Sequence, residues 1–167
     1  MNENLIPRAR LYAARHQLEI AEPAESLGSG KDGIILVAKN KVKPGESAVK
    51  VLKENEAYLR EKRVYERLLA AGVRKVMGFN VPQFLGFADD LRVIEMTIVQ
   101  RPFVLDFAGA HLDTRPEFTA EIWSDWEMEK REQFEGHWET VEKILDEFEN
   151  LGIYLLDVSR GNIGFRD

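Results

Sequence analysis

Three observations predict an α+β fold for this sequence. Two β-rich runs, 34–38 and 48–52, flank a turn at Pro44-Gly45. A helical stripe over 54–71 follows at once, and a second β-rich stretch then leads into a long acidic half with helical spacing. At 167 residues, with 44% apolar and 31% charged side chains, the chain can bury a core as one domain or as two small lobes sharing an interface.

The elements follow in order. Pro7 suits a first helical turn, and Leu11, Tyr12, Ala14, Arg15 and Leu18 recur at roughly helical spacing, so 1–26 reads as a helical extension. The run LGSGKDGIILVAKNKVKPGESAVKVL is a hairpin entered through a glycine-rich turn. Over 54–71, Ala57, Tyr58, Val64, Tyr65, Leu68 and Leu69 share one helical face, and Gly72 stops it. VPQFLGF and RVIEMTIV are strands about the turn Ala88-Asp89-Asp90, the second long enough to be central, and Gln100-Arg101-Pro102 interrupts it. The stretch 103–116 has no clear pattern. Beyond it helices are expected near 117–131 and over 134–151, where Phe134, Trp138, Val141, Ile144, Leu145, Phe148 and Leu151 make a stripe ended by Gly152. IYLLD then gives a short buried strand or turn before VSRGN.

Composition removes whole classes of function. With no cysteine there is no disulfide scaffold, thiol nucleophile, iron–sulfur cluster or thiolate zinc site, and His16, His111 and His137 lack metal-ligand spacing. The net charge of −6 is local: residues 117–149 hold twelve acids and three bases. No basic cluster offers a phosphate-binding face, so nucleic acid is not an expected partner. No apolar run approaches a bilayer span and MNENLIPRAR has no signal-peptide core, so no membrane partner and a cytoplasmic location are expected. Trp123, Trp126 and Trp138 read as packing anchors, and the acidic face as solvated surface with a basic partner as the minor alternative.

Four groups could carry chemistry. Gly28-Ser29-Gly30-Lys31-Asp32-Gly33 could approach a polyphosphate, or could be only a flexible hairpin entry. A Rossmann fingerprint would need a helix after the glycines and a Walker A loop would need Ser or Thr after Lys31, so both fail. Alternation puts Ala48, Lys50 and Leu52 on one strand face, where Lys50 either meets an anion or runs to solvent along its stem. Glu61 falls inside the apolar stripe of its helix and needs a partner, which Lys50 could be. Asp157 and Asn162 share a tight loop, either an Asx-rich turn or a pair that orients a hydroxyl and holds a divalent ion.

Taken in order, the glycine turn, AVK with Lys50, REKRVYERL with Glu61, and LLDVSRGNI with Asp157 and Asn162 resemble the protein-kinase-like superfamily. The resemblance implies a β-rich N-lobe with helix C over 27–102 and a reduced helical C-lobe over 103–167. It also implies ATP binding with Mg2+, and phosphoryl transfer to an unknown acceptor. Gly28, Ser29, Gly30 and Gly33 would cover the phosphates, Lys50 would contact them, Glu61 would position Lys50, Asp157 would be the base and Asn162 a metal ligand. The sequence departs from the family pattern where Leu155 and Leu156 replace the usual histidine and arginine. No DFG motif follows Asn162, so the resemblance reads as truncated after the catalytic loop, with a pseudokinase-like regulatory or scaffold module as the alternative. Asp106-Phe107-Ala108-Gly109 has similar letters but precedes that loop and carries an extra residue, and it reads as coincidence. Asp167 could approach a metal if the last hairpin is very short. Apolar surface left by a reduced C-lobe would be covered by the N-terminal helix, a second copy in a homodimer, or a protein partner.

Overall fold

The computed structural model describes residues 4–166, so Asp167 lies outside the described residues. Helix α1 (Leu5–Arg15) opens the chain, followed by strands β1 (Leu18–Glu19), β2 (Ser26–Ser29), β3 (Gly33–Asn40) and β4 (Glu46–Leu52). Helix α2 (Asn55–Ala70) comes next, then β5 (Lys75–Val76), β6 (Phe79–Asn80), β7 (Phe84–Ala88) and β8 (Val93–Met96). The second half holds β9 (Phe103–Val104), β10 (His111–Leu112), α3 (Ala120–Phe134), a 3-10 turn at Glu135–His137, α4 (Trp138–Asn150), β11 (Ile153–Tyr154) and β12 (Ile163–Gly164). The architecture is α+β.

The larger sheet runs β1-β3-β4-β8-β7, with β2 also on β3, and its pairings are antiparallel. The period-two reading of β4 holds. Val49 and Val51 pack with Leu5, Ala9, Tyr12 and Ala13 of α1, whereas Ala48 and Leu52 face the core that takes in Tyr58, Val64, Tyr65 and Leu68 of α2. The sheet therefore lies between two helices. Since α1 covers its outer face, α1 leaves the second half of the chain uncovered. The α2 core continues without a break into Phe107, Phe134, Trp138, Val141, Ile144, Phe148 and Ile163, which joins the two halves.

Local chemistry explains the element ends. Gly72 and Gly152 take φ of +68° and +74° after α2 and α4, the left-handed geometry that glycine allows cheaply. Thr119 caps α3, its hydroxyl accepting from the Ile122 amide at 3.2 Å. Two expected boundaries move. β8 stops at Met96 because its neighbour β4 begins pairing there, at Ala48, leaving 97–99 no partner on that side. Phe134 closes α3 rather than opening α4, because Glu135 leaves helical geometry with φ of +47°. No helix among the described residues is long and apolar enough to cross a membrane.

Candidate functional site

Lys50 enters the core from the inner face of β4 and is 4% exposed, while Glu61 comes from the buried face of α2 and is wholly buried. Lys50 Nζ donates to Glu61 Oε1 at 2.9 Å. An unpaired charge at this depth would be costly, which is why the strand lysine and the in-stripe glutamate find each other. Glu61 Oε1 also accepts from the Phe107 amide at 3.4 Å, and Oε2 has no partner among the described residues.

The same ammonium donates to Asp106 Oδ1 at 3.1 Å. Asp106, which the sequence reading leaves out of the site, thus belongs to the same cluster. Its place follows from strand pairing: β9 pairs with β12, and β10 pairs with β11. The loop from β9 to β10 is thereby held beside the loop from β11 to β12. The Leu105 amide donates to the Asn162 carbonyl at 2.9 Å, and a Cβ on Gly109 would stand 3.3 Å from Asp157 Cβ. Asp106 takes a positive φ of 70°, a conformation aspartate tolerates better than most residues.

Burial opposes the Lys50 charge, but two carboxylates outweigh it and hold the ammonium's pKa above the ordinary lysine value. Glu61 is pushed up by burial and by Asp106, against the pull of Lys50 and the Phe107 amide. One cation thus serves two acids.

The glycine turn closes over this cluster. Gly30 N donates to Gly33 O at 3.0 Å between β2 and β3, and Lys53 Nζ donates to Gly30 O at 3.2 Å. Only Gly33 is demanded by packing, since a Cβ there would collide with the Val51 carbonyl, whereas Gly28 and Gly30 have open space. Gly28, Ser29, Gly30, Gly33, Lys50, Asp106, Asp157 and Asn162 all line one cavity of about 380 Å³. Glu61 lines an adjoining, more apolar cavity of about 300 Å³ with Ala48, Tyr65, Met96 and Val99. Every site residue expected from sequence is therefore in or next to one cleft.

Asn162 Nδ2 donates to the Asp157 carbonyl at 2.9 Å, which fixes the loop and leaves the amide oxygen as an acceptor. Arg160 is tied elsewhere, Nε donating to the Gln133 carbonyl at 2.7 Å. Among the described residues no three His, Asp or Glu side chains converge as a metal cage. Asp106 and Asn162 line the same cavity and are oxygen donors there that could hold a hard cation. Sequence reasoning missed Asp106 although its letters stand out, because chain order argues against it.

Compared with known proteins, the chain matches no family model and no curated protein.

Proposed function

We propose that this is an ATP-binding domain of protein-kinase-like design, with its glycine turn over the phosphates and a cleft equipped for phosphoryl transfer. One observation carries the reading: Lys50 is held by Glu61 and Asp106 in the wall of a cavity that the glycine turn, Asp157 and Asn162 also line. Chance does not readily assemble that set. The family pattern has its metal-holding aspartate after the catalytic loop; here Asp106 comes before it in the chain and reaches the cleft through the β9–β12 and β10–β11 pairings.

Each residue has a role in that reading. Lys50 donates to the nucleotide phosphates, and Glu61 fixes its direction. The adjoining apolar cavity takes the base, between Ala48, Met96 and Val99. Mg2+, when bound, neutralises phosphate charge, and Asp106 and the Asn162 amide oxygen are the groups that would hold it. Asp157 orients an acceptor hydroxyl and takes its proton as the oxygen attacks the γ-phosphorus and the bond to the β-phosphate oxygen breaks.

A second reading, a pseudokinase-like scaffold that uses the cleft without turnover, is favoured by Leu155 and Leu156 in place of the usual histidine and arginine. Calorimetric titration with ATP, with and without Mg2+, tests the proposal. Saturable binding strengthened by Mg2+ supports it, and no binding in either condition leaves a fold used only for partner contacts.

A further inference from the structure

All three tryptophans of the chain line one groove, and it is separate from the glycine-turn cleft. Trp123 and Trp126 of α3 form one wall, Trp138 and the acidic face of α4 form the other, and the volume is about 480 Å³. Glu142, Asp146 and Glu149 stand at i, i+4 and i+7 on α4, so they run in a line along the groove. Two other lining acids are already paired, Glu127 with Arg131 at 2.7 Å and Glu139 with Lys143 at 3.0 Å. No cation pairs with Glu142, Asp146 or Glu149 among the described residues.

The wall shows what it accepts. Arg115 lays its guanidinium 4.1 Å from the Trp123 ring centre, a cation on an indole face. Trp138, 8% exposed, anchors its wall of the groove in the core. On α3, Lys130 Nζ lies 6.0 Å from the Trp126 ring centre. Two indoles that already receive cations and a line of unpaired carboxylates ask for an occupant with cationic side chains.

We infer that this groove docks a lysine- and arginine-rich segment of a partner protein. Its side chains pair with Glu142, Asp146 and Glu149, beside Trp123 and Trp126 across the groove. Charge complementarity selects the partner, since residues 117–149 carry twelve acids against three bases. The inference is independent of nucleotide binding, because the groove and the cleft share no lining residue.

Tryptophan emission reports on this groove directly. A synthetic peptide of lysine, arginine and leucine, free of tryptophan, is titrated into the full chain and into the variant Glu142→Gln/Asp146→Asn/Glu149→Gln. The expected result is a saturable emission change, weakened about tenfold in the variant, as three pairs of modest worth imply, and weakened again as salt rises from about 0.05 M to about 0.5 M. ATP leaves it unchanged. The three carboxylates face solvent or the groove, so the variant should keep its circular dichroism; if it does not fold, the salt series on the unaltered chain decides the matter. The inference is overturned by no saturable change, by equal affinity in a folded variant, by salt-independent binding, or by spermidine saturating the signal at lower concentration than the peptide. An emission change that tracks protein concentration without peptide would also overturn it, by pointing to a second copy.

Discussion

Asp106 reaches Lys50 across 56 positions of sequence, its Oδ1 accepting from Nζ at 3.1 Å. Helix α2 supplies Glu61 on the other side of the ammonium at 2.9 Å. Lys50 is thus the only cation of a three-member cluster, and its neighbours depend on it for their charge balance.

Lys50→Met should therefore destabilise the fold as well as weaken ATP binding. It leaves Glu61 buried without a cation and facing Asp106, and breaking a buried pair costs ~3–5 kcal/mol. Lys50→Met/Glu61→Met removes both charges and should regain most of that loss. Urea unfolding of the two variants checks this, and a single variant as stable as the unaltered chain would contradict it.

The strand lysine and the inward glutamate were legible in sequence because each follows from a period. Alternation in 48–52 put Lys50 on the core face, and the α2 stripe enclosed Glu61. Asp106 was not legible for a physical reason. Its flanking strands, β9 and β10, are two residues each, too short to leave a period, and they exist only through pairing with β12 and β11 far along the chain. The same non-local dependence left 103–116 without a pattern. The break between α3 and α4 was misplaced because Phe134 satisfies both stripes, and only the backbone turn at Glu135 decides. Trp138 is an anchor as expected, but Trp123 and Trp126 are half-buried in the wall of an open groove.

The glycines separate fold from binding. Gly33→Ala should lower the melting temperature, since its Cβ meets the rigid Val51 carbonyl between paired strands. Gly28→Ala and Gly30→Ala have open space and should melt like the unaltered chain while weakening ATP binding, because the proposed function sets this turn over the phosphates, where the added methyl groups would intrude. Thermal melts beside calorimetry distinguish these outcomes, and a Gly30→Ala variant with unchanged affinity would remove the turn from the site.

Helix α2 is held in place partly by Asp89, which accepts from Tyr58 at 2.7 Å and from Lys62 at 2.9 Å. The Tyr58 hydroxyl first, and Lys62 second, hold its carboxyl below the ordinary aspartate value of 3.8. A lowered folded pKa means stability that is present above the unfolded value and lost as pH falls through the folded one. The melting-temperature gap between the unaltered chain and Asp89→Asn should be constant from neutral pH down to about 5. Below that it should shrink, vanishing in strong acid. A gap that widened on acidification would show that the carboxylate charge is not what holds the helix.

The most direct test of the cleft is the Mg2+ dependence of ATP affinity in three proteins: the unaltered chain, Asp106→Asn and Asp157→Asn. Asparagine keeps an acceptor for Lys50, so the Asp106 variant should fold and bind ATP without metal but lose the strengthening that Mg2+ gives. The Asp157 variant should keep that strengthening and lose any phosphoryl transfer. Equal Mg2+ dependence in the unaltered chain and Asp106→Asn would contradict the account, leaving Asp106 as a partner of Lys50 alone.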